Sequence, residues 1–525
     1  MKRRSFLQSM AAAGAAAPLL LQGYKVQAFA PHPLFQLAAS VDCTDRVLVL
    51  IQLNGGNDGL NTVIPLDQYS LYKSARSNIA IDENTVLRLN NATGLHPQMA
   101  ALKSIYDEGK IALLQGVGYP VPNYSHFRST DIWLTGSDTE EYLNTGWMGR
   151  YLDYQFPGYP GLYPSPAMPD PLAIQIGTVL STGFEGPSAN MAMAFTDPTT
   201  FYNIVNEKDD SGTGSRAAEE LAYIRKIGQQ LQKFANPVKT AAGKAKNKST
   251  LYPAARQNPL ADQLKIVAQL IAGGLRTRVY MVNLSGFDTH SNQLSGGNGT
   301  PVPHGTLLNQ LSVAIQAFMD DCKLLGIQDK ILGMTFSEFG RRIKSNASGG
   351  TDHGAAGPVF LFGNHVKSGI LGTNPIIPQN AGPEDNIPMQ IDFRSLYASL
   401  LNQWFCVPQK DLKQLTVHDF RFDLPILQGV STSTDYESDI AANTDIRIFP
   451  NPVETSARIQ LMLIKPAAMV HLYDNTGRYL MQLAGSLSAG QHTLQFERHG
   501  LPGGSYYIQV FGQAGNTLTG IMMLQ

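Results

Sequence analysis

The sequence predicts an α/β fold, a mostly parallel sheet sandwiched by helices, followed by a small C-terminal all-β sandwich. Three observations carry that prediction. Several apolar runs, of which Arg278-Val-Tyr-Met-Val-Asn-Leu-Ser285 is the clearest, lack the alternation of a half-exposed strand and suit a sheet covered on both faces. Helical patterns separate these runs, as parallel crossover connections require. From residue 444 onward the pattern changes to short alternating strands punctuated by turns.

In chain order, Lys2-Arg3-Arg4-Ser5-Phe6-Leu7, the mild apolar stretch Met10 to Leu21 and the small-residue ending Ala28-Phe29-Ala30 resemble a twin-arginine export signal over residues 1–30. Arg46 to Leu53 then runs into Asn54-Gly-Gly-Asn-Asp-Gly-Leu-Asn61, which places Asp58 in a glycine-rich turn where backbone can approach an ion closely. Leu95-His96-Pro97 starts a helix whose apolar face is Met99, Leu102, Ile105 and Tyr106. Ile111 to Val117 leads through a Pro/Tyr loop to Ser125-His126, at the start of a helix reaching Leu134. A hydroxyl there either caps the helix or sits where unpaired N–H groups favour an anion.

Met148 to Thr200 reads as loops over the sheet, Ala217 to Ala235 as a charged helix and Lys239 to Lys248 as a mobile solvated loop. Leu260 to Leu275 is an amphipathic helix feeding the strand that begins at Arg278, and that strand empties through Gly286 into Asp288 and His290. Helices are expected over Leu307 to Leu325 and Asp392 to Phe405. Between them, Lys330 to Phe336 runs into Ser337-Glu338-Phe339-Gly340-Arg341, and Asp352-His353 precedes the apolar run Pro358 to Phe362.

A net charge of −1 with 15% charged residues offers no basic face for nucleic acid. No apolar run reaches the roughly 18 residues that span a bilayer, so no transmembrane segment is predicted. Cys43, Cys322 and Cys406 have no paired spacing; they allow at most one disulfide and read as core thiols. Asp and His residues clustered at strand ends are the expected geometry of a metal site. Oxygen and nitrogen ligands without sulfur suit one or two divalent ions of zinc, manganese, iron or calcium.

The motifs Gly55-Gly-Asn-Asp-Gly-Leu-Asn61, Ser125-His-Phe127, Gly286-Phe-Asp-Thr-His290, Ser337-Glu-Phe-Gly-Arg341 and Gly350-Thr-Asp-His-Gly354 resemble a family of exported bacterial proteins known as a domain of unknown function. That family is similar in fold to the alkaline phosphatase and sulfatase superfamily, and the resemblance runs from Arg46 to Val407. It implies that Asp288, His290 and His353 hold one metal, that Asp58 and Glu338 join Ser125 at another, and that Ser125 is the nucleophile. Arg341 or Arg128 would clamp the anionic oxygens of the substrate, unless they are structural ion pairs. Alkaline phosphatases place an Asp-His pair where this chain has Glu338-Phe339. The second site is therefore short of a nitrogen ligand, for which Asp352, Asn57 or His126 would compensate.

Phe449-Pro-Asn-Pro452, Leu472-Tyr-Asp-Asn-Thr-Gly-Arg478 and Leu501-Pro-Gly-Gly-Ser-Tyr-Tyr-Ile508 resemble the C-terminal sorting domain of type IX secretion substrates. The expected organisation is a signal over 1–30, an alkaline-phosphatase-like domain over 45–425, a linker over 426–443 and the sorting domain over 444–525. The chain is thus expected to use the twin-arginine and type IX export machineries, crossing the periplasm to the cell surface or medium. Its expected activity is metal-dependent hydrolysis of an anionic phosphate or sulfate ester, including those of surface polysaccharide. The alternative is a surface binding protein that keeps the fold and at most one structural metal without turnover.

Overall fold

The computed structural model describes residues 20–21, 24–25, 43–198, 233–296, 302–428 and 446–524, apart from 464–466, 474–478, 489 and 513–516. The twin-arginine stretch, most of the charged helix expected from Ala217 and most of the linker lie outside them. The described residues fall into two compact units, a large α/β unit and a C-terminal β unit.

The α/β unit is built on a nine-stranded sheet. Its strands are β1 (Val47–Asn54), β2 (Ile111–Gly118), β3 (Ala173–Ile176), β4 (Ala192–Phe195), β5 (Val279–Ser285), β6 (Ile331–Phe336), β7 (Gly357–Phe362), β8 (Gly369–Leu371) and β9 (Ile391–Asp392). Their order is β8-β2-β7-β6-β1-β5-β3-β4, with β9 pairing to β2. Every pairing is parallel except those of β7, which runs antiparallel to both β6 and β2. The sheet is thus mostly parallel, as the two-sided apolar runs predict. All eight residues of β2 are buried, as are six of the eight in β1.

One face of the sheet packs on α1 (Ala100–Asp107), α4 (Pro259–Ala272) and α5 (His304–Leu325); Val49, Ile51 and Val282 meet Leu102, Leu264, Val267 and Ile315 there. The other is covered by α2 (His126–Thr135), α3 (Trp147–Gln155) and α6 (Phe393–Gln403), whose aromatic rings stack: Trp133 lies 5.9 Å from Phe336 and 4.4 Å from Phe393, and Trp147 lies 4.2 Å from Tyr397. Each such buried side chain contributes roughly 1.5–3 kcal/mol by leaving water.

Three readings of the sequence need correcting. The stretch Met148 to Thr200 is not all loop: it supplies most of α3 and the strands β3 and β4, each only four residues long and too short to show a pattern. Lys239 to Lys248 is not a solvated loop throughout, because residues 233–244 are helical and bury Phe234, Val238 and Ala241 in the core. Cys43 and Cys406 are disulfide-bonded, and only Cys322 is a free buried thiol.

Register fixes where the loops emerge. Ser285 pairs with Asn54 and Phe336 with Gln52, so β1, β5 and β6 end level with one another. Since β7 is antiparallel, its first residue Gly357 lies beside Val117 at the end of β2, and the segment preceding it reaches the same rim. The rim loops lie backbone against backbone. Gly55 has φ +120°, and a Cβ on it would stand 2.2 Å from the Asp288 nitrogen; one on Gly350 would stand 2.3 Å from the His290 carbonyl carbon.

Among the described residues the C-terminal unit has seven antiparallel strands: Ile446–Phe449, Ser456–Leu463, Ala467–Tyr473, Tyr479–Ala484, Gly490–Glu497, Gly504–Gly512 and Thr517–Leu524. They form a three-stranded and a four-stranded sheet around Ile459, Leu461, Leu472, Phe496, Ile508 and Val510. No helix among the described residues is long and apolar enough to cross a membrane.

Candidate metal centre

At the rim, four side chains from three loops converge. Asp288 and His290 follow β5, His353 precedes β7, and His126 is the first residue of α2. His290 Nε2 lies 3.1 Å and His353 Nε2 3.2 Å from Asp288 Oδ1, while His126 Nε2 lies 3.5 Å from Asp288 Oδ2. The Nε2 atoms of His290 and His353 are 2.9 Å apart. His126, Asp288 and His353 each offer a ligand atom within 4.8 Å of the others.

The opposite nitrogen of every ring is anchored. His126 Nδ1 lies 2.8 Å from Glu338 Oε1, His353 Nδ1 2.8 Å from the Tyr124 carbonyl oxygen and His290 Nδ1 3.3 Å from Asp352 Oδ1. A carboxylate and a carbonyl only accept, so Nδ1 carries the proton and Nε2 of the neutral ring is a bare lone pair. Two bare nitrogens 2.9 Å apart repel unless positive charge stands between them. Two ligands about 2.1 Å from one tetrahedral ion are roughly 3.4 Å apart, and the separations here straddle that figure. The residues therefore fit a divalent ion, with acceptors behind the imidazoles of the kind that orient metal-bound histidines.

Electrostatics agree with a cation-seeking cluster. Burial raises the Asp288 pKa, but the adjoining imidazoles of His290 and His353 and the hydrogen bond from Arg341 outweigh it and hold the carboxyl well below its ordinary range. The bond to Glu338 raises the His126 pKa against the opposing effect of burial. Burial also acts to raise Asp352, yet Asn346 and His290 lower it overall. Asp288 and His290 keep nearly half of their side-chain surface exposed, so the cluster is open to solvent.

Several residues expected in the site stand elsewhere. Asp58 is fully buried in a separate polar cluster, where Arg76 Nη1 donates to both its oxygens at 2.8 and 2.6 Å and Gln293 Nε2 to Oδ2 at 2.6 Å. Both oxygens are engaged by these donors. Beside this cluster, His304 Nε2 meets Asn57 Oδ1 at 2.9 Å, and the His304 ring packs edge-on against His96.

Arg341, expected as a substrate clamp, is completely buried and spent on the protein. It donates to the carbonyls of Gly55, Gly56, Phe287 and Thr351 and pairs with Asp288 Oδ1 at 2.7 Å. Arg128, the other expected clamp, pairs with Asp131, donates to the carbonyls of Asp138, Thr139 and Glu141, and lies over the Tyr142 ring. Glu338 is buried, with Oε1 also accepting from the Gly55 N–H at 2.8 Å. It backs His126, where a first-hand ligand was expected; Asp352 backs His290 in the same way. Phe339 packs its ring 5.0 Å from that of His126 and 4.4 Å from that of His353, walling the cluster with hydrocarbon.

Ser125 is exposed at the N-cap of α2, and its side chain makes no capping bond. The backing role of the Tyr124 carbonyl had no signal in the sequence. The place of His126 in the cluster had one, since it adjoins Ser125 in one of the motifs.

Residues 200–421 match the family described as Protein of unknown function (DUF1501). The chain carries a DUF1501 domain. Asp288, His290, Glu338, Arg341, Asp352 and His353 fall inside the match, whereas Asp58, Ser125 and His126 precede it. Residues 447–523 match the secretion system C-terminal sorting domain, so the DUF1501 domain is joined to a type IX secretion signal that directs export. No curated protein matches the chain.

Among solved structures, a protein in the alkaline phosphatase superfamily from Vibrio parahaemolyticus is similar at 8% identity and TM-score 0.31, covering 90% of this chain and 81% of that one. The PsFucS1 sulfatase from Pseudoalteromonas sp. is similar at 12% identity and TM-score 0.31, covering 89% and 88%. An alkaline phosphatase from the Antarctic bacterium TAB5 is similar at 11% identity and TM-score 0.26, covering 62% and 94%.

Proposed function

We propose that this exported protein is a metal-dependent hydrolase of phosphate or sulfate esters, with His126, Asp288, His290 and His353 as its metal-holding residues. The observation that carries the reading is the convergence of three Nε2 atoms on one carboxylate, each ring anchored from behind. A bound divalent ion supplies Lewis-acid chemistry, drawing charge from an ester oxygen. Glu338, Asp352 and the Tyr124 carbonyl keep the three rings in the tautomer that presents a lone pair. Ser125, one residue before His126 and free of a capping bond, is the nucleophile of this reading. The first-turn N–H groups of α2 have no intrahelical acceptor and favour an anionic oxygen beside it.

The test is hydrolysis of aryl phosphate and aryl sulfate by the full chain, before and after chelation, with Ser125→Ala alongside. Activity that disappears on chelation, returns with zinc and falls at least about a hundredfold in Ser125→Ala supports the proposal. Turnover indifferent to both treatments sinks it.

One observation favours a second reading, a surface binding protein without turnover: both arginines expected to hold the substrate's oxygens are committed to the protein itself. A tightly held ion with no hydrolysis across an ester panel would decide for it.

A further inference from the structure

Resting on the proposed metal centre, we infer that it takes a single ion, held mainly by nitrogen, and that the Arg341 guanidinium is a fixed cation on the side where a second metal would bind. A two-metal centre needs oxygen donors beyond Asp288, and the two carboxylates expected to supply them, Asp58 and Glu338, are buried and engaged by the protein. Asp58 gives both oxygens to Arg76 and one of them also to Gln293. Glu338 accepts from the Gly55 N–H and faces His126 Nδ1 through Oε1, and its side chain is almost wholly buried. Arg341 lies between Asp288 and the Gly55-Gly56 turn that leads to Asp58, bonded to both sides.

Charge gives the same count. The carboxylates of Asp288, Glu338 and Asp352 with the one guanidinium of Arg341 leave two negative charges, which one divalent ion balances. Asp58 adds nothing, because Arg76 cancels it. A second ion would stand against the first and against Arg341 in a partly buried site, where repulsion is weakly screened.

The donor set also selects the metal. Imidazole nitrogen suits zinc and its transition-metal neighbours, whereas calcium and magnesium ask for oxygen. Three imidazoles to one carboxylate therefore reject the hard ions.

The experiment titrates the chelator-stripped full chain with cobalt(II), following its absorption bands, and counts zinc by elemental analysis after reloading. The expected result is a break at one equivalent that a large excess of calcium does not reverse. His353→Gln should weaken binding by at least about a hundredfold. Asp352→Asn, a change at an exposed position that keeps the fold, should weaken it about tenfold while the break stays at one equivalent. A break at two equivalents, or displacement by calcium, overturns the inference and leaves the metal centre standing. Absence of any uptake overturns both.

Discussion

Asp288 and Arg341 are joined by a 2.7 Å ion pair in which the guanidinium is wholly buried and the carboxylate about half exposed. The pair links the outer layer of the centre, which meets solvent, to an inner layer that holds the rim loops together. Arg341→Leu should therefore act on stability before chemistry. It would strand the carbonyls of Gly55, Gly56 and Thr351 without their donor, at about 1–3 kcal/mol for each buried group. Urea unfolding should show a loss of at least about 3 kcal/mol. A loss under 1 kcal/mol would mean that water replaces the guanidinium, contrary to its complete enclosure.

Asp58→Ala separates structure from metal binding. It leaves Arg76 charged and buried without its partner, which costs about 3–5 kcal/mol. Cobalt uptake by the folded fraction should nevertheless stay at one equivalent. Loss of uptake from protein that circular dichroism shows to be folded would return Asp58 to the ligand set.

Acid should destabilise the metal-free protein through two buried histidines outside the proposed ligand set. Burial pushes His96 down to about 4 and His304 down to about 3, against roughly 6.5 in an unfolded chain. Above pH 6.5 both are neutral in either state and stability is unaffected. As pH falls through 6.5 the unfolded chain takes up protons that the folded chain refuses, so stability drops until the folded values are reached. At about 1.4 kcal/mol per unit, each histidine accounts for roughly 3 kcal/mol by pH 4. His304→Gln should flatten the dependence of Tm on pH between 6.5 and 4. An unchanged slope would show that His304 does not contribute.

Gly55→Ala probes the close approach of β1's turn to β5's. The new methyl group would meet the Asp288 backbone nitrogen at 2.2 Å, at a φ of +120° that alanine rarely adopts. The expected outcome is a displaced Asp288 and at least about tenfold weaker cobalt binding. Wild-type affinity would show that the rim loops shift without disturbing the ligands.

The sequence made some of this legible and hid the rest for identifiable reasons. Asp288 and His290 follow one buried strand within five residues of its end, and such local order can be read directly. The sheet, its main helices and the sorting domain are legible for the same reason, since periodicity and turn residues are local. What Glu338 does is not local: its partners Gly55 and His126 lie 283 and 212 residues away. Whether a carboxylate faces an ion or the back of an imidazole is decided by that pairing. The pairing of Asp58 was hidden because Arg76, only 18 residues on, lies in a short helix-and-turn segment with no feature that marks it as a buried partner. Parallel and antiparallel strands look alike when both faces are buried, so the direction of β7 was hidden too.

That direction has a kinetic consequence. Glu338, Arg341, Asp352 and His353 all belong to one connection between two antiparallel neighbours, and Arg341 and His353 form a bridge within it. This half of the receptacle assembles from nearby chain, whereas Asp288, His290 and His126 arrive only when strands distant in sequence have docked, after costly loop closure. An ion gripping all of them is gripping contacts made late on the folding route. Saturating zinc should then slow the unfolding limb of a chevron plot and leave the refolding limb nearly unmoved, so that for a protein bound for a hostile exterior the metal serves as a latch on a finished structure.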